Sequence, residues 1–490
     1  MIRIIFLILI SSLGLALSFS PFSFSWLFAW FGFIPFFFAI ESLKSKFKVF
    51  LFSYLEGIIF WLFAVYWLVY VTLLGYILLV LYLGLYFAIF GLSFYKFKNR
   101  SEWANVLFLS CVWVLEEFLR SYLFSGFGWA LLGYSQYKNL FLIQLADIGG
   151  VWLVSFIVMA VNLNLYYLFK VSSSKKINYV LCILFLIGLS LIYGYFRLYP
   201  QKSPDKFLKV SLIQANIPQE IKWRVQERDF ILNKYFYLTK KAIEESPDLI
   251  IWPEASLPCV LEEEPVYFEK VKDFVRKNRV KLLLGAVTYQ KGLYYNSAIL
   301  VSSDGEIQGK YDKLHLVPFG EYIPLRKVLW FLETIVPIGD FSKGNSYTIF
   351  KLSTINYQLL TFSALICFED IFPEIAREFV KKGADFLVNI TNDAWFGKSP
   401  AAYQHLSASV LRAVENRVPL IRCANTGVSG FISPQGHLFS FKDKYSEDIF
   451  IEGYFIRKIN IPGHRHNTFY NRYPYFFIGL LFFIFLYGII

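Results

Sequence analysis

The chain has 490 residues, of which 56% are hydrophobic and 20% aromatic, and this composition favours an integral membrane protein over a soluble one. Its formal net charge of +12 resembles that of a nucleic-acid-binding protein, but no basic stretch is interleaved with turn residues and no zinc or helix-turn-helix signature is present. Basic cytoplasmic loops give a membrane protein the same excess, so we exclude nucleic acid as a partner.

The first 200 residues contain apolar runs close to the roughly 20 residues that a helix needs to cross hydrocarbon. Arg3 before the first run resembles the start of a signal peptide, but another run follows at once, which favours a retained helix. We therefore predict an α-helical membrane bundle of about eight helices. Seven spans fall in residues 1–200, near 4–18, 22–40, 50–72, 74–95, 104–122, 146–169 and 178–196, and the eighth in residues 472–490.

Basic residues in the short loops predict the orientation of these spans. They follow spans two, four and six, at Lys44, Lys46, Lys48, Lys96, Lys98, Arg100, Lys170, Lys175 and Lys176. Because basic loops remain in the cytoplasm, seven spans deliver everything after Tyr199 to the opposite side of the membrane.

One stretch within the fifth span, Trp113–Arg120, is too polar for a plain lipid-facing helix. Charges at membrane depth usually face a bundle interior or a wet cavity. Glu116 and Arg120 lie four residues apart and can instead simply pair near the interface. Gln144 and Asp147 favour a continuing polar pocket, so both interpretations stay open.

Residues 205–465 differ in character, because charges become frequent and strands alternate with helices. Predicted strands are Phe207–Ile217, Leu249–Trp252, Lys281–Thr288, Asn296–Val301, Glu306–Tyr311, a strand ending at Cys367, Asp385–Ile390, Leu420–Cys423 and Val428–Ile432. Predicted helices are Val225–Glu245, Pro265–Lys277, one beginning at Pro373, and Tyr403–Asn416. Asp304-Gly305 indicates a hairpin. The mixture predicts a layered α/β domain with a mixed sheet.

Three of the predicted strands are followed by side chains that carry chemistry: Glu254, Lys313 and Cys367. Taken alone, each has an ordinary structural interpretation. Together, a carboxylate can take a thiol proton, an ammonium can stabilise an oxyanion and a thiolate can form a thioester, which suits acyl transfer. Pairing of the cysteine with His315 or His405 is the papain-like alternative.

Cys367 lies between an apolar strand and a helix beginning at Pro373, and a helix N-terminus favours the thiolate. Cys259 and Cys423 are the cysteines that can pair in an oxidising compartment. The five cysteines form no CxxC and the five histidines no His-x-x-x-His, so no metal and no diffusible cofactor are expected.

Three motifs resemble those of the nitrilase superfamily: Trp252-Pro253-Glu254, Lys313–Glu321 and Cys367-Phe368-Glu369. The eight-span frame and a further set of segments are similar, more narrowly, to the apolipoprotein N-acyltransferase family; these segments are His315–Glu321, Gln214–Trp223, Asn389–Gly397, Gly126–Gln136 and Gln144–Trp152. The resemblance covers nearly the whole chain and implies a nitrilase-like αββα sandwich at residues 205–465 as the catalytic domain.

The resemblance also implies roles for individual residues. Glu254 would be the general base, Lys313 the cation that stabilises the oxyanion, and Cys367 the nucleophile. Supporting carboxylates would be Glu321 and Glu369, and substrate-binding side chains would be Trp223, Asn296, Phe368 and Trp395, with aromatic packing as the alternative for the two tryptophans. Two positions depart from the family, because Phe368 stands where tyrosine is common and Gly128 where proline is frequent.

The activity implied by the resemblance is N-acylation of the N-terminal S-diacylglyceryl-cysteine of apolipoproteins, with a membrane phospholipid as donor and a Cys367 thioester as intermediate. It would take place at the bacterial inner membrane with the catalytic domain in the periplasm. One alternative is a membrane-anchored nitrilase-type amidase acting on small amides; another is a transporter or scaffold with an inert outer domain. Arg326–Leu332 is predicted to dip into the headgroup region as an amphipathic arm, with a core helix as the alternative.

Overall fold

The structure is a computed structural model that describes residues 1–199, 206–323, 340–463 and 467–489. The chain divides into two compact units. The helical unit comprises Met1–Gln201, Ser399–Ser407 and Asn467–Ile490, and the sheet unit comprises Lys202–Lys398 and Ala408–His466. The predicted arm at Arg326–Leu332 lies outside the described residues.

The α-helices of the described residues are numbered here in chain order. They are α1 Ile2–Leu17, α2 Ile34–Glu41, α3 Lys46–Ala64, α4 Leu73–Phe97, α5 Glu102–Arg120, α6 Leu140–Ile143, α7 Ala146–Lys170, α8 Ser173–Leu198, α9 Arg228–Ile243, α10 Pro265–Asn278, α11 Pro373–Lys381, α12 Ala401–Asn416, α13 Phe469–Arg472 and α14 Phe476–Ile489. Thr72 and Ser101 cap α4 and α5 by accepting hydrogen bonds from the amides of Gly75 and Ala104.

Four of these helices, α3, α4, α7 and α8, are long and apolar enough to cross a membrane within the described part of the chain. Shorter apolar segments are Ile2–Leu17, Ser25–Glu41 and Phe476–Gly488. The run predicted as a span near 22–40 consists of a 3-10 helix at Ser25–Trp30 followed by α2. Pro35 lies in the first turn of α2, where its missing N–H is tolerated.

The polar stretch of α5 does not form the Glu116–Arg120 ion pair that was one of the two predicted arrangements. Arg120 Nη1 instead donates to the carbonyls of Phe127 at 2.7 Å and Trp129 at 2.8 Å. Neither carboxylate oxygen of Glu116 has a hydrogen-bond partner among the described residues. Asp147 lies 2.5 Å from Arg197 Nη2, so this part of the predicted pocket is a separate ion pair.

The sheet unit contains two six-stranded sheets. The strands, in chain order, are β1 Lys206–Gln214, β2 Leu249–Ile251, β3 Leu282–Gln290, β4 Leu293–Val301, β5 Ile307–Asp312, β6 Phe350–Ser353, β7 Leu359–Ile366, β8 Phe386–Thr391, β9 Leu420–Ala424, β10 Gly430–Ile432, β11 Leu438–Ser440 and β12 Gly453–Ile461. The sheet orders are β12-β1-β2-β3-β4-β5 and β11-β10-β9-β8-β7-β6. Each sheet has three parallel central strands, β1-β2-β3 and β7-β8-β9, with antiparallel neighbours.

The two sheets pack face to face, with helices outside them. Cys423 in β9 donates its thiol to the carbonyl of Ile251 at 3.3 Å, which joins the second sheet to β2 of the first. Helices α9 and α10 cover the first sheet through a buried apolar cluster, in which Tyr235 stacks on Trp252. Helix α11 packs against β7. This is the predicted layered α/β sandwich with a mixed sheet.

Turn residues set the connections between the antiparallel strands. The predicted hairpin at Asp304-Gly305 is confirmed, and it joins β4 to β5 with Gly305 at φ 84°. A second hairpin extends β3 and β4 beyond their predicted ends. Lys291 and Gly292 both have positive φ there, as a two-residue turn of this kind requires.

All five cysteines carry free thiols. Cys259 and Cys423 therefore do not form the disulfide that the sequence left open. Cys423 lies between the sheets, and Cys259 lies beside the carbonyl of Glu264.

Candidate active site

The carboxylate of Glu254 lies just beyond the end of β2, one of the parallel central strands. The Trp252 amide donates to the Leu283 carbonyl at 2.8 Å and holds this connection against β3. Glu254 is buried, and its Oε1 accepts a hydrogen bond from Asn296 Nδ2 at 2.7 Å. Its Oε2 accepts one from the amide of Asn392 at 2.9 Å. The carboxylate is thus fixed from both sides.

Lys313 directly follows β5 and is only 1% exposed. Its Nζ lies 2.9 Å from Glu321 Oε1 and 3.7 Å from Glu254 Oε1. Burial by itself would lower the pKa of Lys313, but the charges of Glu321 and Glu254 outweigh burial and raise it. The side chain is therefore an ammonium ion shared by two carboxylates.

Asn296 and Glu321 complete this cluster. One amide group, Asn296 Nδ2, donates to both carboxylates, at 2.7 Å to Glu254 and 2.9 Å to Glu321. Glu321 Oε2 accepts a further hydrogen bond from the Val317 amide at 2.8 Å. The predicted supporting carboxylate Glu321 and the predicted pocket residue Asn296 are therefore in direct contact with the base and the lysine.

Cys367 is the first residue after β7 and adopts φ 52°, which costs a residue with a side chain roughly 1–2 kcal/mol. Its carbonyl accepts a hydrogen bond from Asn389 Nδ2 at 3.0 Å, which holds this elbow against β8. A 3-10 turn, Cys367–Ile371, separates the cysteine from α11. The thiol is thus at a strained elbow, but not at the α-helix terminus that the sequence predicted.

The electrostatic surroundings of Cys367 hold it as a thiol at rest. Burial raises the pKa of Cys367, Glu254 raises it further, and Lys313 lowers it. The expectation that a helix N-terminus favours the thiolate is therefore wrong, because burial dominates. A base is needed to form the nucleophile, and the same interactions put Glu254 and Lys313 within electrostatic reach of the sulfur.

Glu369 links the loop after β5 to the cysteine elbow. Its Oε1 accepts hydrogen bonds from the Tyr311 hydroxyl at 2.8 Å and the Leu314 amide at 2.6 Å, and its Oε2 from the Ile366 amide at 2.7 Å. Burial raises the pKa of Glu369 to about 7, although these donors favour its charged form. It supports two strand ends that carry Lys313 and Cys367.

The remaining predicted binding residues lie outside this cluster of contacts. Trp223 and Trp395 are surface side chains, 42% and 52% exposed. Phe368 is buried and packs edge-on against Phe372, with ring centroids 5.0 Å apart. The ring of His315 stacks on Phe372 at 3.6 Å.

Sequence reasoning missed a second buried lysine, Lys222, which is 2% exposed. Its Nζ donates to the backbone carbonyl of Glu254 at 3.0 Å. Burial lowers the pKa of Lys222 to about 8, while Glu254 and Cys367 raise it. The signal was its place in Gln214–Trp223, one of the segments similar to the family.

A buried ionic network behind the elbow was also missed. Arg422 in β9 is completely buried and lies 3.0 Å from Asp370 Oδ2 and 3.1 Å from Asp393 Oδ2. It also donates to Asn389 Oδ1 at 2.8 Å, and Asn389 in turn holds the Cys367 carbonyl. An arginine inside an apolar strand was the available signal, but its acidic partners are distant in sequence.

Among the described ranges, no group of three or more His, Cys, Asp or Glu side chains is arranged to hold a metal ion. What the arrangement offers is a thiol, a carboxylate base and a fixed cation, the three groups that covalent acyl chemistry uses.

Both parts of the chain match descriptions of known protein families. The family description "Carbon-nitrogen hydrolase" matches residues 209–453, and "Apolipoprotein N-acyltransferase N-terminal domain" matches residues 11–164. Among solved structures, an amidase of the nitrilase superfamily from Nesterenkonia is 18% identical, with a TM-score of 0.39, over 54% of this chain and 93% of that one.

Curated relatives match nearly the whole chain. The apolipoprotein N-acyltransferase of Geobacter metallireducens is 36% identical over 488 residues, covering 95% of this chain and 90% of that protein. The apolipoprotein N-acyltransferase of Pasteurella multocida is 32% identical over 463 residues, covering 90% of this chain and 88% of that protein. With this identity over almost the full length of both proteins, the chain belongs to the apolipoprotein N-acyltransferase family.

Proposed function

We propose that this membrane acyltransferase moves an acyl chain from a phospholipid to the α-amine of the S-diacylglyceryl-cysteine that begins an apolipoprotein. Membership of the family supports this reaction. The observation that carries the chemistry is the partly buried elbow at Cys367, within electrostatic reach of an ammonium ion that Glu254 and Glu321 share.

In the first half-reaction, Glu254 takes the proton of Cys367 Sγ, and the thiolate attacks the ester carbonyl of the phospholipid. The ammonium of Lys313 stabilises the negative charge that develops on the carbonyl oxygen. The ester C–O bond then breaks, and the leaving alkoxide takes the proton from Glu254 and departs as lysophospholipid. An acyl thioester at Cys367 remains.

In the second half-reaction, the free α-amine of the diacylglyceryl-cysteine attacks the thioester carbonyl. The amine loses a proton to Glu254, and Lys313 stabilises the oxyanion a second time. The C–S bond breaks, the thiolate recovers its proton from Glu254, and the N-acylated lipoprotein leaves. Each group returns to its starting state, so no diffusible cofactor enters the cycle.

Asn296 and Glu321 are proposed to keep the base and the cation apart. Glu321 Oε1 is 2.9 Å from Lys313 Nζ, closer than Glu254 Oε1 at 3.7 Å. Because Glu321 makes the shorter contact with Lys313, the contact between Lys313 and Glu254 Oε1 is longer and weaker. Glu254 is therefore proposed to remain able to accept the thiol proton. Trp223, Phe368 and Trp395 are proposed to contact the lipid substrates.

We further propose that the enzyme is a multi-pass protein of a bacterial inner membrane, with seven spans in residues 1–200, an eighth in 472–490 and the catalytic domain, 205–465, in the periplasm. The basic loops support this orientation. A Tyr357→Cys variant tests it, because Tyr357 is highly exposed on the sheet unit. We expect an impermeant maleimide to label this cysteine in intact spheroplasts; labelling only after lysis would reverse the topology.

The activity is tested with the full-length chain in vesicles of defined phospholipid, to which a synthetic diacylglyceryl-cysteine peptide is added. We expect N-acyl peptide from the wild type and from Cys259→Ser, a matched loss of a buried thiol in the same unit, but not from Cys367→Ser. Turnover of small soluble amides without N-acyl peptide would favour the amidase. Unimpaired function of Glu254→Gln would favour an inert outer domain.

A further inference from the structure

The helical unit contains a small cavity next to the end of α5, with a volume of about 20 Å³ open to the centre of a water-sized group. Its walls combine aromatic and charged side chains, chiefly Trp61, Tyr86, Trp113, Glu116, Glu117 and Arg120. A second cavity of about 10 Å³ by the same measure shares part of this lining and is otherwise apolar. The space is therefore polar at one end and apolar at the other.

The cavity is lined by more acidic than basic side chains. The guanidinium of Arg120 donates to the carbonyls of Phe127 and Trp129 and lies 4.8 Å over the ring of Trp61. It faces two carboxylates, Glu116 and Glu117. The cavity therefore holds two acids and one cation, and the cation already uses donors on backbone carbonyls.

Three carboxylate oxygens in this cavity lack a hydrogen-bond donor. Glu117 is 2% exposed, and its Oε1 accepts from Trp113 Nε1 at 3.1 Å and from the Leu132 amide at 2.6 Å. Its Oε2, and both carboxylate oxygens of Glu116, are buried without a hydrogen-bond partner in the described part of the chain. Leaving buried acceptors unpaired is unfavourable, so the site calls for a donor that carries positive charge.

A primary ammonium group matches these features. It has one positive charge and three N–H donors, the same number as the open carboxylate oxygens. Aromatic walls such as Trp113 and Tyr86 favour an organic cation over their faces. The cavity has room for a group of about the size of a water molecule, such as an ammonium group, so the hydrocarbon part of an amphiphile stays in the surrounding bilayer.

The depth of the site agrees with such a ligand. Glu116 lies in the last turns of α5, about 21 Å along the helix axis from Glu102. The basic loop with Lys96 and Lys98 precedes the other end of this helix, so in the proposed orientation the acids lie near the outer face of the bilayer. The ammonium groups of outer-leaflet lipids and of a lipoprotein N-terminus lie at that level.

We propose that this cavity binds the primary ammonium group of a membrane amphiphile through Glu116 and Glu117. This deepens the proposed function, on which it rests for the two sources of the amine: the headgroup of an ethanolamine phospholipid, or the free α-amine of the diacylglyceryl-cysteine. Glu116 and Glu117 bind and orient the ligand here, and the covalent steps stay with the sheet unit.

Binding is measured on the full-length chain carrying Cys367→Ala, so that bound ligand is not consumed. Native mass spectrometry compares ethanolamine, choline and glycerol phospholipids with the same acyl chains, and a diacylglyceryl-cysteine peptide with a free or an acetylated N-terminus. We expect the primary amine to bind about tenfold or more tightly than its uncharged counterpart, as one charge-assisted hydrogen bond implies. Preference for the lipid, the peptide or both identifies the source of the amine.

Variants then locate the site. We expect Glu116→Gln and Glu117→Gln to lose this preference, while Glu102→Gln, at the opposite end of the same helix, keeps it. Retention of the preference in Glu116→Gln would overturn the proposal. Equal binding of ethanolamine and choline lipids, together with equal binding of the free and the acetylated peptide, would also overturn it, and these comparisons on the parent chain need no cavity variant. Binding does not depend on turnover, so failure of the acyl transfer would leave this result standing.

Discussion

Replacing Lys222 with methionine is expected to stabilise the protein at pH 7. Lys222 is buried, and its pKa falls from the ordinary 10.5 to about 8 because burial disfavours the charged form. That difference corresponds to about 3 kcal/mol of folding free energy at pH 7. Methionine has a similar unbranched shape and no charge, but it loses the hydrogen bond to the Glu254 carbonyl, worth about 1 kcal/mol. The net gain is about 2 kcal/mol.

The gain depends on pH in a defined direction. Lys222 is a base whose pKa is lowered on folding, so its burial carries no penalty above the unfolded pKa of 10.5. The penalty grows as the pH falls, and the corresponding stability is lost as the pH falls through about 8. The wild type therefore carries the whole penalty at pH 7 but only about 1 kcal/mol of it at pH 9.5. We expect the advantage of Lys222→Met to shrink to near zero at pH 9.5.

Thermal unfolding of the full-length chain in one detergent, at pH 7 and pH 9.5, measures this effect. Lys270→Met is the control, because Lys270 is an exposed lysine of the same unit, paired with Asp229. The variant should also form thioester more slowly, since the charge of Lys222 interacts with both Glu254 and Cys367. A loss of stability of equal size at both pH values would refute this reasoning.

Three further outcomes test the site. Asn296→Leu should slow thioester formation by about tenfold or more, because Glu254 and Glu321 lose the same charge-assisted donor; a rate equal to wild type would remove its orienting role. Arg422→Met should lower the free energy of unfolding by about 3–5 kcal/mol in chemical denaturation, since it removes the cation that two buried carboxylates share. Finally, the raised pKa of Glu369 gives stability that is fully present below about pH 4.5 and is lost as the pH rises through about 7. In Glu369→Gln, the curve of stability against pH should therefore flatten between these two values. An unchanged slope would contradict this assignment.

The elements that carry Glu254, Lys313 and Cys367 could be predicted because each residue follows an apolar strand with local sequence signals. Parallel pairing then places the end of β2 between β1 and β3, and the end of β7 beside that of β8. Hydropathy likewise indicated most of the helices. At 22–40 it could not show the interruption between the 3-10 helix and α2, because a run of apolar residues does not record it.

The contacts that tune the site could not be predicted, since their partners are far apart in sequence. Asn296 donates to Glu254 across 42 residues, and Arg422 reaches Asp370 across 52. Burial is also a property of the whole fold. Burial raises the pKa of Cys367, against the thiolate that the sequence led us to expect, and it lowers the pKa of Lys222. Neither effect has a local sequence signature.

The most direct test of the proposed chemistry is mass spectrometry of the peptide that contains Cys367, after the full-length chain has been incubated with a phospholipid of defined acyl chains and no acceptor. We expect the mass of one acyl group on Cys367, released by hydroxylamine and cleared when diacylglyceryl-cysteine peptide is added. An acyl group on another residue, or N-acyl peptide formed with no acyl group ever detected on Cys367, would contradict the thioester mechanism.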